Sequence, residues 1–428
     1  MDAKIEELLH KSNPWWHKKE FQAQLGLPRH AYVERISKAF SIREIKVLYG
    51  VRRSGKSTLL YQIIRKLLDQ GIPPQNIALV NLENNLFAPW IAQRDFLDRL
   101  FETIVTLHNP QGKVFLFLDE IQEAPFWEKW VTKMYEQKSP LQITVTGSSS
   151  SMQSTELATL LTGRNLSFEI KPLNFQEYLF FKTGHLYEKK DYDEMLDQKT
   201  ELAHYFERYL QEGGFPGIVL TQDETLKENL LKQYFQDILY RDLVRKYEVR
   251  HPVKLENLAF YLASNIGRAL SYRKISATMG LAVDTLKEYL SHFERAGLFS
   301  FLGPFTFSSK AKLREVHNRK IYIADHGLRN VAALGSGRDT GFTVENLVFH
   351  KLKGEKLLGY TEAPEIDFAF SRAGIHLIQV CYEEDFPPRE LEAFEKLRLN
   401  RKVNILISKN TYQPVGKIKI LPAWYYLL

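Results

Sequence analysis

Between about residue 43 and residue 171, the apolar positions of this chain fall into two alternating rhythms. Short apolar runs have the length of buried strands: Ile45–Tyr49, Asn76–Asn81, Val114–Leu118, Leu141–Thr146 and Leu166–Ile170. Five consecutive apolar residues at Val114–Leu118 read as a strand covered on both faces, as in a parallel sheet. Between the runs lie segments such as Thr58–Leu68, apolar at helical spacing. Strands alternating with helices predict an α/β sheet sandwiched by helices. The pattern breaks at Lys171-Pro172-Leu173-Asn174-Phe175. Helical segments then follow to about 240, interrupted at Gly213-Gly214-Phe215-Pro216-Gly217.

The middle of the chain changes rhythm again. Leu255–Ile266 reads as a helix with one apolar face, and Ser271–Gly280 as a shorter helix closed by a glycine turn. Val283–Gly297 is a third, with Asp284 as expected N-cap and Leu286, Tyr289, Leu290 and Phe293 as its core stripe. Leu298–Leu302 would begin a wing. Together these predict a winged helix-turn-helix.

Length and composition bound the answer. A chain of 428 residues is long for one core and suggests roughly two to four domains. Hydrophobic content of 44% and charged content of 25% are those of a soluble globular protein. No apolar run approaches the ~18 residues of a membrane span, and Met1–Glu7 lacks the apolar core of a secretory signal. The single cysteine, Cys381, excludes an intramolecular disulfide framework, so a cytoplasmic protein with no membrane partner is expected. The net charge is +7, and residues 241–320 hold 15 Lys/Arg against 7 Asp/Glu, a local balance of +8. Basic surface of this kind either binds a polyanion or is a solvated face.

The candidate chemistry starts at Gly50-Val51-Arg52-Arg53-Ser54-Gly55-Lys56-Ser57, which fits the G-x-x-x-x-G-K-[ST] phosphate loop between a strand and a helix. Its glycines let backbone N–H groups turn inward around phosphates, and the helix N-terminus adds its positive end. Lys56 is expected to reach the β- and γ-phosphates and Ser57 to hold Mg²⁺. Thr58 completes the expected nucleotide contacts. Asp119-Glu120, after the apolar strand, supplies a second Mg²⁺ carboxylate in Asp119 and a general base for water in Glu120. Gly147-Ser148-Ser149-Ser150 ends the next strand. Its hydroxyls, Ser148 foremost, would sense the γ-phosphate or orient water, or else cap the following helix.

Here the chain resembles the AAA+ ATPases, which place a polar sensor after the acidic strand and an arginine before the fifth strand. The resemblance puts Arg164 where that arginine completes a neighbouring subunit's site, which implies a homo-oligomer. Read from the residues alone, Arg164 is equally a surface arginine ending a helix. Over nearly its whole length, the chain is further similar to a large family of bacterial and archaeal AAA-type ATPases with a C-terminal domain of unknown function. The matching segments are Arg52–Ser57, Leu118–Gln122, Thr146–Ser150, Phe235–Asp242 and Ile321–Leu328.

That resemblance implies an ATPase core, then a winged helix, then a domain like the restriction-endonuclease fold. Glu345, Asp367 and the strand Leu377–Cys381 follow the order of a PD-(D/E)xK nuclease. Gln379 and Cys381, however, stand where its acid and lysine belong. Neither supplies the charge that chemistry needs, so nuclease activity is not expected. The third helix of the winged module opens on Asp284, Thr285, Lys287 and Glu288, whose two acids disfavour DNA phosphate. Arg268, Arg273, Lys274, Lys310, Lys312 and Arg314 flank it and could grip a backbone.

The expected organisation is an ATPase core with N-terminal extension (1–171), helical lid and connector (172–250), winged helix (251–305) and degenerate nuclease-like domain (306–428). The expected function is Mg²⁺-dependent ATP binding and hydrolysis acting on DNA or a DNA-associated partner. The alternative is a nucleotide-gated scaffold with slow hydrolysis and no nucleic acid.

Overall fold

The computed structural model describes residues 3–137, 140–152, 161, 163–305, 318–334, 339–362, 364–397 and 402–428. Lys310, Lys312 and Arg314 lie outside them. The chain forms two compact units, Met1–Lys171 and Pro172–Leu428, divided where Lys171-Pro172 ends the strand–helix alternation.

In the first unit the longer helices are α1 (Ala3–Ser12), α2 (His30–Lys38), α3 (Lys56–Asp69), α4 (Phe96–His108) and α5 (Trp127–Glu136). The strands are β1 (Ile45–Gly50), β2 (Ile77–Asn81), β3 (Val114–Asp119), β4 (Leu141–Ser148) and β5 (Asn165–Glu169). They form one sheet in the order β2-β3-β4-β1-β5, every pairing parallel. All residues of β3 and β4 are buried, because helices cover both faces of a parallel sheet. β2 is an edge strand, and the N-terminal segment covers part of its edge. Asn13 bonds Leu79 like a strand partner, its Oδ1 accepting from the Leu79 N–H at 2.6 Å and its Nδ2 donating to the Leu79 carbonyl at 3.0 Å. The indoles of Trp15 and Trp16 both donate to the Ile77 carbonyl, at 2.9 and 2.8 Å.

The second unit opens with helices α6 (Phe175–Thr183), α7 (Lys199–Glu212) and α8 (Glu224–Asp237), the last continuing as a π-helix over Ile238–Arg245. Helices α9 (Pro252–Ser264), α10 (Tyr272–Met279) and α11 (Val283–Arg295) follow. The expected stripe of α11, Leu286, Tyr289, Leu290 and Phe293, is buried. Its N-cap, however, is Ala282, and Asp284 sits inside the first turn. There its carboxylate complements the helix dipole rather than closing an N–H ring. β6 (Phe299–Leu302) pairs antiparallel with β7 (Lys320–Ile323). The ribbon therefore crosses the boundary expected at 305/306.

After β7 come α12 (His326–Ala332) and α13 (Thr340–Leu352), then β8 (Lys356–Glu362), β9 (Glu365–Ser371), β10 (Ile375–Val380) and α14 (Pro388–Lys396). β11 (Lys402–Ser408), β12 (Gln413–Val415), β13 (Ile418–Pro422) and α15 (Ala423–Leu427) complete the unit. These strands make a six-stranded mixed sheet, β12-β13-β11-β10-β9-β8, whose central pairs β10–β11 and β11–β13 are parallel.

The C-terminus of α7 locks onto α12. His326 Nε2 and Asn330 Nδ2 reach the last carbonyls of α7, with Asn330 at 2.9 Å from Leu210 and 3.0 Å from Gln211. Asp325 Oδ2 accepts the Gly214 N–H at 2.7 Å. Gly213 has φ +83°, and a Cβ there would lie 2.4 Å from Asp325 Oδ1 and 2.8 Å from the Gly327 backbone. The glycine pair is thus required by close backbone approach.

Candidate nucleotide site

Three neighbouring strands of the first unit end in the residues the sequence singled out. β1 runs into the loop Val51–Gly55, which hands over to α3 at Lys56; Gly55 is the N-cap, with φ +95°. Arg53 is also left-handed, with φ +67°. Left-handed residues of this kind let a loop curl around an anion, and the first N–H groups of α3 have no intrahelical acceptor. Lys56 is buried and lies back on the loop, its Nζ 3.2 Å from the Gly50 carbonyl and 3.3 Å from that of Val51. Ser54 Oγ is buried with no hydrogen-bond partner among the described residues. Val51 is buried, and Arg52 faces Glu83 at 3.7 Å.

Beside the loop, β3 ends at Asp119. Its carboxylate accepts a hydrogen bond from the Thr146 hydroxyl, and the Ser57 hydroxyl faces it from the start of α3. Burial raises its pKa above the ordinary carboxylate value and neighbouring Glu120 adds to the rise, while Thr146, Ser57 and Lys56 oppose it. Glu120 follows with φ +52° and ψ +51°, a left-handed conformation that costs a residue with a Cβ roughly 1–2 kcal/mol. The Thr146 hydroxyl accepts the Glu120 N–H at 3.0 Å. Gln122 Nε2 holds the Glu120 carboxylate at 2.6 Å. Ser148, at the end of β4, is in register with Gly50. Its hydroxyl lies 3.0 Å from that of Ser150 and 3.1 Å from that of Ser151.

The structure therefore gathers Lys56, Ser57, Asp119, Glu120 and Ser148 at the C-terminal ends of adjacent parallel strands, where ligands of open α/β sheets bind. Arg164 is not among them. It precedes β5, its carbonyl accepting the Ile45 N–H at 2.9 Å. It thus stands at the start of β1, roughly 17 Å of extended chain from Gly50. Its guanidinium is 3.0 Å from Glu136.

Four contributors escape the sequence reading. Thr146 joins the two acids, and Gln122 orients Glu120. Arg29, buried 25 residues before Ser54, donates to the Ser54 carbonyl at 3.1 Å and to that of Lys171 at 2.9 Å. Gln62 on α3 accepts the Arg29 N–H at 3.0 Å and donates to the carbonyls of Leu25 and Leu27. Thr146 had a signal, a hydroxyl within a fully buried strand. Arg29 had none, since its role depends on the chain folding back.

Oxygen donors on Ser57 and Asp119 suit a hard cation, and a curled loop of N–H groups with a lysine suits phosphate. The family described as "AAA domain" matches residues 42–179, and a domain of unknown function, DUF8612, matches residues 203–340. An uncharacterized protein of Methanocaldococcus jannaschii is 33% identical over 411 residues, covering 90% of this chain and 88% of the relative. An uncharacterized protein of Haemophilus influenzae is 31% identical, covering 90% of this chain and 94% of its own. Among solved structures, the Walker-type ATPase of Pyrococcus abyssi aligns at 16% identity and TM-score 0.47, over 71% of this chain and 95% of that one. The chain belongs to the family of the Methanocaldococcus jannaschii protein, and its first unit carries an AAA-type ATPase domain.

Proposed function

We propose that the chain is a Mg²⁺-dependent ATPase that acts on DNA or a DNA-associated partner through its second unit. The observation that carries the ATPase reading is the Thr146 hydroxyl bonding both Asp119 and the Glu120 N–H beside the phosphate loop. Lys56 and the loop residues Gly50–Thr58 hold the phosphates, Ser57 and Asp119 hold Mg²⁺, and Ser148 is placed to sense the γ-phosphate. Glu120 takes a proton from the attacking water, and bound Mg²⁺ supplies charge neutralisation on the phosphates. Arg164 serves a neighbouring copy of the chain in a homo-oligomer. Its position at the opposite end of β1 from Gly50 supports that reading.

In the second unit, residues 172–250 read as helical lid and connector. Helices α9–α11 with the β6–β7 ribbon read as a winged helix, and the six-stranded sheet with α13 as a nuclease-like domain without nuclease activity. Arg268, Arg273 and Lys274 are exposed, which supports backbone contacts with DNA. Within 241–320 Lys320 and Asp242 are both buried, and burial of one charge of each sign leaves the basic balance of the stretch as it is in the sequence. ATPase assays with single-stranded, duplex and branched DNA, set against none, test the nucleic-acid half. Stimulation with steep salt dependence is expected. Unchanged rates with all three would favour the nucleotide-gated scaffold.

A further inference from the structure

The nuclease-like order of Glu345 and Asp367 implies a divalent cation between them, and the residues present do not fit one. Glu345 on α13 and Asp367 on β9 are 3% and 4% exposed, and Lys320, arriving from β7 of the ribbon, is 3% exposed between them. Its Nζ lies 2.7 Å from Asp367 Oδ1, 3.3 Å from Glu345 Oε1 and 3.6 Å from Glu365 Oε1.

Further groups bond the same two carboxylates. Tyr322 donates its hydroxyl to Glu345 Oε1 at 2.8 Å, and the Val380 N–H bonds Asp367 Oδ2 at 2.9 Å. Gln379 bonds neither carboxylate of the pair. Its Oε1 accepts the Asp367 N–H at 3.1 Å, and its Nε2 donates to Glu390 at 2.8 Å. The ammonium occupies the place between the two carboxylates that a bridging cation would take. Two buried carboxylates without a cation would be strongly destabilising.

We propose that Lys320 is a resident substitute for the metal: its ammonium bonds both Glu345 and Asp367 and thereby clamps the β6–β7 ribbon to the six-stranded sheet. The ribbon's other contacts point the same way. Beyond β6, the Phe305 N–H bonds the Tyr360 carbonyl at 2.5 Å, and the Tyr360 ring lies 5.3 Å from Lys320 Nζ. The nuclease-like site is thus closed from within by a residue of another module. An acid pair that no longer needs a metal has become a joint.

The test uses the full chain without nucleotide and Mn²⁺ as the probe, read by electron paramagnetic resonance. Wild type and Asp367→Asn should bind Mn²⁺ alike, since any binding at the phosphate loop is common to both. Lys320→Met should gain one further Mn²⁺, bound roughly tenfold or more tighter than any wild-type site outside the loop. The double variant Lys320→Met/Asp367→Asn should lose it. Wild-type binding that disappears in Asp367→Asn, or no gain in Lys320→Met, would overturn the proposal. Should Lys320→Met be destabilised, its melting temperature remains a readout. Mn²⁺ should raise it, and should leave unchanged the uncharged reference Lys320→Met/Glu345→Gln/Asp367→Asn. No Mn²⁺ response in Lys320→Met would refute the substitution.

Discussion

Thr146 and Asp119 are joined by a hydrogen bond from hydroxyl to carboxylate, while the same hydroxyl accepts the N–H of Glu120 at 3.0 Å. One side chain on β4 thus sets the position of both acids at the end of β3. Thr146→Ala should lower ATP turnover on the order of tenfold with a smaller loss of nucleotide affinity, and Thr146→Ser should restore most of it. Steady-state kinetics of the two variants separate a positioning role from simple core packing, which the serine would not rescue.

Glu120→Gln should keep ATP binding and cut turnover by roughly 10²-fold or more, the scale of a lost general base. Fluorescent-nucleotide titration and single-turnover hydrolysis measure the two halves. Undiminished hydrolysis would remove Glu120 from the role its strained backbone suggests.

Arg164→Ala should leave nucleotide affinity intact and lower turnover only where copies of the chain assemble. Mixing Arg164→Ala with Glu120→Gln is the direct check. Two inactive chains should recover part of the activity, because one supplies an intact site and the other an intact arginine. No recovery at any mixing ratio would leave Arg164 as the surface partner of Glu136.

Burial, and next Asp367, push Glu345 up to about 8 from an ordinary 4.5. The folded chain therefore keeps a proton that the unfolded chain releases. Stability should fall as pH rises through that window, by up to about 1.4 kcal/mol per pH unit, and level off above it. Glu345→Gln has no such proton and should give a flatter profile in urea melts between about pH 5 and about pH 8. An equal slope in both proteins would assign the dependence to other groups.

Gly213→Ala should destabilise the second unit by roughly 2–4 kcal/mol, since the methyl meets Asp325 and the Gly327 backbone in a left-handed conformation. The nearby control Gly184→Ala shares the positive φ, 72°, but meets nothing within 4 Å. Its smaller loss in thermal melts isolates the steric part.

The five parallel strands were legible because each is a short apolar run between helical segments. The phosphate loop was legible because its residues are contiguous. What was hidden is what depends on return of the chain. Lys320 reads as one more surface lysine in a basic stretch, yet it is the cation of a buried cluster. β7 pairs with β6 across residues the wing pattern did not reach. The π-helix at Ile238–Arg245 follows α8 without any break in apolar spacing, so periodicity alone could not mark it. Asp284 reads as a cap by residue type, but Val283 already continues the helix from Ala282.

The bonding of Asn13, Trp15 and Trp16 to β2 has a consequence for how the first unit assembles. The partners are 61 to 66 residues apart in sequence, so the segment made first has to wait for β2 before it can dock. Until then the outer edge of β2 presents unpaired Ile77 and Leu79 groups that could template pairing between chains. The two indoles and the amide act as an intramolecular chaperone for that edge, and their loss would register as aggregation during refolding before it registered in catalysis.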